Sequence, residues 1–202
     1  KVPYVRSPDG RWEAFARDYN LWVRPAGGGD SIPLTTDGER YWAYGTSEPR
    51  PSQTIAKMPS RPVLQWSPDS RRIAVERMDE RGVATMPLYS STSVRPTLYQ
   101  YPYPLPGDSV IPRFDIHVLE MESRSNLRVK MAPQPYLTFS VTGMVDSTWV
   151  TVKWKEGGSR LYYTHAVRGA KRVQLMEAAL ESGDARLIVA DSLPTHVEWT
   201  QE

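Results

Sequence analysis

The sequence contains no cysteine among its 202 residues, and its 25 basic residues nearly balance the 23 acidic ones. The first absence excludes disulfide bonds and thiolate-bound metal sites, and it leaves the redox compartment undefined. Lysine and arginine form no continuous basic stretch, so neither nucleic acid nor an anionic membrane is expected as a partner. No apolar run is long enough to predict a membrane span.

Histidine is also scarce, with three residues in the chain: His117, His165 and His196. They are far apart in sequence and fall in strand-like runs, so we expect half-buried strand residues rather than a metal site or a catalytic base. The pairs Asp9-Gly10 and Asp37-Gly38 lack the further spaced carboxylates of a calcium loop. No cofactor is expected.

What the sequence does contain is a repeated turn. Ser7-Pro8-Asp9-Gly10 returns as Ser67-Pro68-Asp69-Ser70, and each copy is followed by arginine and a short apolar run. Serine and proline suit the first two positions of a type I turn, and aspartate suits the third. Repeated units of one turn and one strand predict a solenoid or a propeller.

Tryptophan sets the length of the repeat. Trp66 precedes the second turn, Trp154 precedes a degenerate third copy, and Trp199 opens a fourth. The last two are about 45 residues apart, which is typical of one four-stranded blade. The interval before Trp154 is about twice as long and has no intermediate signal, so we favour one blade with a long insertion over two blades.

The prediction is therefore an all-β chain, a partial β-propeller of about three four-stranded antiparallel blades with one long insertion. Blade 1 is expected at about 1–40, blade 2 with the insertion at about 60–131, blade 3 at about 137–192, and the next blade from 196 to 202. Since three blades cannot close a ring, we expect a piece of a longer propeller whose open edges other segments, another chain or self-association would cover.

Three stretches needed a separate interpretation. Val173–Leu180 has a possible helical pattern, but its position before a Ser-Gly-Asp turn favours a strand. The proline-rich segments Glu48–Pro62 and Arg95–Pro112 are predicted to be long loops. Asn20 is expected to bond its own turn rather than a ligand.

Five elements in the second blade occur in a specific order. A Trp-Ser-Pro-Asp strand is followed by a Pro-Leu strand, a basic-Pro segment, a Tyr-Pro-x-x-Gly turn and a final strand, here Trp66–Asp69, Met86–Tyr89, Val94–Pro96, Tyr103–Gly107 and Phe114–Leu119. Together with Arg17–Arg24, this pattern resembles the N-terminal propeller of the dipeptidyl peptidase IV branch of the prolyl oligopeptidase family.

The resemblance implies a serine exopeptidase in which an eight-bladed propeller caps a C-terminal α/β-hydrolase domain and restricts access to small peptides. The nucleophile motif Gly-x-Ser-x-Gly is absent, and Gly45-Thr46-Ser47-Glu48-Pro49 lacks its second glycine. No catalytic residue is assigned, and the role implied for this chain is gating and selection of a peptide substrate. Family members are commonly exported and dimeric, which implies a periplasmic or secreted location and a homodimer.

The resemblance also points to candidate substrate-binding residues. In dipeptidyl peptidase IV a Trp-x-Tyr precedes consecutive glutamates that bind the free amino terminus of the substrate. Here Trp42-Ala43-Tyr44 is followed by Gly45-Thr46-Ser47 and one carboxylate, Glu48. The candidates are Tyr44, Ser47, Glu48 and Glu39. A solvated loop position remains the alternative for Glu48, and a non-catalytic TolB-like binding propeller remains the alternative for the chain.

Overall fold

The computed structural model describes residues 3–58, 61–92, 94–135, 152–166, 169 and 171–197. These residues form three antiparallel sheets and one separate two-stranded hairpin. None of the sheets closes on itself, and the sheets follow one another along the chain as blades do. The prediction of an all-β partial propeller is confirmed. The predicted blade start at Trp199 and residues 136–151, which directly precede Val152, lie outside the described residues.

The first sheet contains four short strands in sequential order. Its second strand begins where the first Ser-Pro-Asp turn ends. In that turn Gly10 N–H donates to the Ser7 carbonyl at 2.9 Å, and Ser7 Oγ donates to Asp9 Oδ1 at 2.6 Å. Gly10 has a φ of 73°, which glycine adopts without strain. The strands are β1 (Val5–Arg6), β2 (Trp12–Arg17), β3 (Asn20–Pro25) and β4 (Ile32–Pro33).

The second sheet is built around two long strands that are almost entirely buried and pair over their full lengths. The first of these strands begins where the second copy of the turn ends, and this turn repeats the first: Ser67 Oγ donates to Asp69 Oδ1 at 2.6 Å. Its elements are β5 (Trp42–Tyr44), α1 (Pro51–Ile55), β6 (Leu64–Trp66), β7 (Arg72–Asp79), β10 (Arg113–Glu120), β11 (Asn126–Arg128) and β12 (Gln134–Pro135), and between β7 and β10 the chain forms β8 (Thr85–Ser90) and β9 (Thr97–Pro102).

The two predicted loops are more structured than expected. Glu48–Pro62 contains α1, which starts at Pro51 because proline presets a helical φ and needs no N–H partner in the first turn. Arg95–Pro112 contains β9, which pairs with β8 to form a hairpin separate from the second sheet. Proline is tolerated there because both strands are edges with no outer partner among the described residues.

The third sheet has four strands in sequential order, and one of them covers Val173–Ala178 of the strand predicted at Val173–Leu180. The apolar run at 187–190 is of the kind that packing between two blades buries, but Leu187, Ile188 and Val189 are 41 to 58% exposed. The reason is that no further blade covers them within the described residues. The elements are β13 (Val152–Trp154), a 3-10 turn (Glu156–Gly158), β14 (Leu161–Ala166), β15 (Arg172–Ala178) and β16 (Ala185–Ser192).

Neighbouring sheets are joined by apolar cores and by a repeated tryptophan contact. One core lies between the first and second sheets and the other between the second and third. Trp66 Nε1–H donates to the Val5 carbonyl at 3.1 Å, and Trp154 Nε1–H donates to the Gln65 carbonyl at 3.2 Å. In both contacts the indole N–H reaches a backbone carbonyl on an edge strand of the preceding sheet, which gives a physical reason for tryptophan at blade spacing.

Two of the three histidines lie in strands, as expected. His165 is half-buried in β14, and His117 in β10 is fully buried rather than half-buried. His196 is exposed and lies after the last strand, so its assignment to a strand was wrong. Within the described ranges no group of three histidine, aspartate or glutamate side chains is placed to hold a metal ion. No helix in those ranges is long and apolar enough to cross a membrane.

Candidate functional site

An open cleft of about 360 Å³ lies at one end of the first two sheets. One wall is the turn between β2 and β3, and the other is the segment from Tyr41 through the loop after β5. The cleft therefore lies between two successive blades. The residues that line it are Ala16, Arg17, Asp18, Tyr19, Tyr41, Ala43, Thr46, Ser47, Glu48 and Pro49.

The wall from the first sheet is a two-residue turn. Asp18 and Tyr19 have φ values of 50° and 65°, the pattern of a type I′ turn, whose twist matches that of the flanking strands. Asn20 Nδ2–H donates to the Asp18 carbonyl at 2.9 Å, so the prediction that Asn20 bonds its own turn is confirmed. The Tyr19 carbonyl accepts a bond of 2.9 Å from Tyr44 N–H, which ties this wall to β5.

The opposite wall depends on Gly45, the first residue after β5. Gly45 has a φ of 68°, and its N–H donates to the Glu76 carbonyl at 2.8 Å while its carbonyl accepts from Val63 N–H at 2.7 Å. A Cβ atom there would lie 3.2 Å from the Cβ of Pro62, so a larger residue would be strained in φ and crowded against Pro62. The chain turns at this point and carries Ser47 and Glu48 to the cleft.

Glu48 presents a carboxylate that is already partly paired. Arg40 Nη2–H and Nε–H donate to its Oε1 at 2.6 and 3.2 Å, and the Glu48 side chain is 16% exposed. The Arg40 guanidinium also lies 4.7 Å from the ring centroid of Tyr41. Within the described part of the chain all hydrogen bonds to this carboxylate engage Oε1, so Oε2 can accept from a further donor.

A second carboxylate, that of Glu80, lies behind the loop. Glu80 is 8% exposed, and its Oε2 accepts a bond of 2.7 Å from Glu48 N–H. Burial raises the pKa of Glu80 to about 7, and the nearby Glu48 and Asp79 carboxylates add to the rise. Glu80 N–H donates to the Tyr41 carbonyl at 2.7 Å, so this residue contacts both Tyr41 and Glu48.

The four predicted site residues separate into two groups. Ser47 and Glu48 line the cleft. Tyr44 is fully buried: its hydroxyl accepts from Asn126 Nδ2–H at 3.0 Å, and burial raises its pKa to about 12. Glu39 is exposed, with its Oε1 3.8 Å from Nη1 of Arg81, and it is not among the residues that line the cleft.

Sequence reasoning missed the wall contributed by the first sheet and the buried carboxylate of Glu80. The sequence holds a weak signal for the wall from the first sheet. Asp18 and Tyr19 separate two apolar strand-like runs, and a gap of two residues is typical of a tight hairpin. No local signal marks Glu80, which is 32 residues from Glu48 in sequence. Only the pairing of β5 with β7 brings the two together.

Comparison with known proteins identifies the family. Residues 2–202 match the family model described as the dipeptidyl peptidase IV (DPP IV) N-terminal region. The chain belongs to this family. The DPP IV resemblance inferred from the second blade is therefore confirmed over nearly the whole chain.

Two solved structures share the fold of this DPP IV N-terminal chain. Porphyromonas gingivalis dipeptidyl peptidase 4 matches with a TM-score of 0.71 and 20% identity, over 96% of this chain and 26% of the other. A putative dipeptidyl aminopeptidase IV from Bacteroides ovatus matches with a TM-score of 0.69 and 18% identity, over 96% of this chain and 24% of the other. The chain thus spans about a quarter of the length of each.

Proposed function

We propose that this chain is the substrate-gating and substrate-selecting propeller segment of a serine exopeptidase, in which a C-terminal α/β-hydrolase domain performs hydrolysis. The observation that carries the proposal is the position of Glu48. Its carboxylate lies at a cleft between two blades, on the loop that follows Trp42-Ala43-Tyr44. Family membership supports the assignment to a dipeptidyl peptidase-like protein.

The proposed ligand of the cleft is the free amino terminus of a peptide. An ammonium group can donate to Glu48 Oε2 while Arg40 occupies Oε1, and charge-assisted bonds of this kind are about twice as strong as neutral ones. The Ser47 hydroxyl can accept a second ammonium proton, and the Tyr41 ring adds an aromatic surface beside the charge. A blocked amino group offers no positive charge, and the cleft would discriminate against it.

Mutation of Glu48 tests this role in the full-length protein. For Glu48→Gln we expect kcat/KM for Xaa-Pro chromogenic dipeptides with a free amine to fall about tenfold or more, because a hydrogen bond to a charged group contributes about 1.5 to 3 kcal/mol. The same peptides with an acetylated amine should be cleaved at an unchanged, low rate. The measurement is the ratio of the two kcat/KM values.

A comparison variant separates the candidate carboxylates. Glu39→Gln removes an exposed carboxylate outside the cleft, and its ratio should match that of the unmodified protein. A normal ratio in Glu48→Gln together with a reduced ratio in Glu39→Gln would transfer the role to Glu39. If the full gene encodes no Gly-x-Ser-x-Gly after Glu202, the peptidase assignment is lost in favour of a non-catalytic binding propeller.

A homodimer is proposed to form through the hairpin of β8 and β9. The two strands pair only with each other among the described strands, and Tyr89 and Leu98, which lie directly opposite in the register, are 66% and 58% exposed. Cross-strand partners point to the same face, so the two side chains form an exposed apolar patch on the hairpin. The observation supports self-association through a matching patch on a second copy.

Charge introduced into this patch should weaken the dimer. We expect Leu98→Asp to shift full-length protein from dimer to monomer in sedimentation velocity at micromolar concentration, because the partner surface would have to desolvate a carboxylate. Thr97→Asp places the same charge on the opposite face of β9 and should leave the dimer intact. A full-length protein that is monomeric at these concentrations would contradict the dimer.

A further inference from the structure

Glu80 contacts both segments that hold the charged pair of the cleft. It follows β7 directly, and its carboxylate accepts from Glu48 N–H at 2.7 Å. Its own N–H donates to the carbonyl of Tyr41, the residue next to Arg40, also at 2.7 Å. Arg40 and Glu48 form the ion pair at the mouth of the cleft. One buried residue is therefore hydrogen-bonded to the backbone of Glu48 and to that of Tyr41, the neighbour of Arg40.

The segment that contains Tyr41 has little conformational freedom once the Glu80 N–H bond to the Tyr41 carbonyl is made. Glu39 and Trp42 exchange two backbone hydrogen bonds of 3.1 and 2.9 Å, which close a tight turn around Arg40. Tyr41 has a φ of 67°, a conformation that is strained for an aromatic residue and persists only where neighbouring contacts hold it. The Glu80 N–H bond to the Tyr41 carbonyl is one such contact.

A contribution to the stability of the fold does not by itself explain why position 80 carries a carboxylate. It is 8% exposed, and the described residues place no salt bridge on it. The charged groups that act on it are the Glu48 and Asp79 carboxylates, which disfavour its ionised form, and Arg50, which favours it. A buried carboxylate in such surroundings costs stability relative to a neutral side chain. Its described side-chain contact is with the backbone of the cleft loop.

We infer that Glu80 is a positioning residue for amine selection: its carboxylate fixes the Glu48 backbone and thereby places the Glu48 carboxylate in the cleft. The inference rests on the proposed function, since it assigns Glu80 an effect on selectivity through Glu48. Glu80 itself does not line the cleft, and no contact with substrate is assigned to it.

The test uses the full-length protein and the ratio of kcat/KM for free-amine and acetylated Xaa-Pro substrates. Glu80→Ala removes the acceptor for Glu48 N–H, and we expect the ratio to fall about tenfold, the effect of displacing one charge-assisted contact. Glu80→Gln keeps an acceptor oxygen of the same reach, so its ratio should stay within about twofold to threefold of the unmodified protein.

A matched control separates positioning from a general loss of stability. Glu13→Ala also removes a buried, hydrogen-bonded carboxylate, 5% exposed and paired with Arg6 and Arg24 in the first sheet, away from the cleft loop. It should lower the unfolding temperature without changing the selectivity ratio. A fall in the ratio for Glu13→Ala equal to that for Glu80→Ala would overturn the positioning role.

Combining Glu80→Ala with Glu48→Ala distinguishes failure of the inference from failure of the proposed function. If Glu80 acts through Glu48, the double variant has the ratio of Glu48→Ala alone, since two residues that act as one unit are not additive. A reduced ratio in Glu48→Ala with a normal ratio in Glu80→Ala rejects the inference alone. A normal ratio in Glu48→Ala rejects the proposed function, and the inference with it.

Discussion

Gly38→Ala is expected to destabilise the propeller by about 3 kcal/mol or more, because the added methyl group has no space. A Cβ atom on Gly38 would lie 2.1 Å from the Tyr19 carbonyl oxygen and 2.9 Å from Asn20 Oδ1. Neither atom is free to move. The Tyr19 carbonyl is bonded to Tyr44 N–H, and Asn20 Oδ1 accepts from Gly38 N–H at 2.9 Å.

The clash would also displace the turn that forms one wall of the cleft, so the loss of stability should be accompanied by a loss of amine selectivity. The loss of stability is measured as the change in the unfolding temperature of the propeller transition in the full-length protein. Gly27→Ala is the control, since a Cβ there meets no atom within 4 Å. Equal unfolding temperatures for Gly38→Ala and Gly27→Ala would contradict the predicted clash.

Arg77→Ala is expected to cost about 3 to 4 kcal/mol, the range for removing one partner of a buried polar contact and leaving a cavity. Arg77 is 5% exposed, and its guanidinium lies 3.4 Å from the ring centroid of Trp42 and 4.5 Å from that of Tyr44. Its Nη2–H donates to the Asp37 carbonyl at 2.8 Å. Truncation removes the aromatic stacking and leaves that carbonyl without its donor.

Arg81→Ala is the matched control for this substitution. Arg81 also stacks on Trp42, at 3.9 Å, and pairs with Asp79 at 2.7 Å, but its side chain is 46% exposed. Solvent screens such contacts, so we expect a loss below about 1 kcal/mol. Denaturant midpoints measure both variants. Losses of similar size would show that burial does not determine the contribution of these two arginines.

The architecture was predictable where local chemistry decides it. Ser7 and Ser67 bond the aspartate two residues ahead in both turns, so the same four-residue pattern makes the same turn twice. Trp66 and Trp154 recur at the spacing of the blades because each indole N–H donates to a backbone carbonyl of the preceding sheet. Prediction failed where a partner outside the local window decides the structure, as for β9, whose strand depends on pairing with β8.

The candidate site was predictable only in part. Ser47 and Glu48 are adjacent in sequence and occupy the cleft together. Tyr44 belongs to the same motif, but the alternation of side chains along β5 directs it into the core, where Asn126 and His117 contact it. Arg40 partly neutralises Glu48, and no sequence pattern indicates a bond between these two residues, which are eight positions apart on either side of β5.

The amino-acid sequence by itself determined the repeat, the all-β class and the family, because turns, blade-spaced tryptophans and strand patterns are short-range properties of the chain. The tertiary structure decided which side chains meet. The cleft combines the turn between β2 and β3 with a loop almost thirty residues later, and Glu80 reaches that loop from the end of β7. Strand pairing and blade packing create these contacts, and both depend on the register between distant segments.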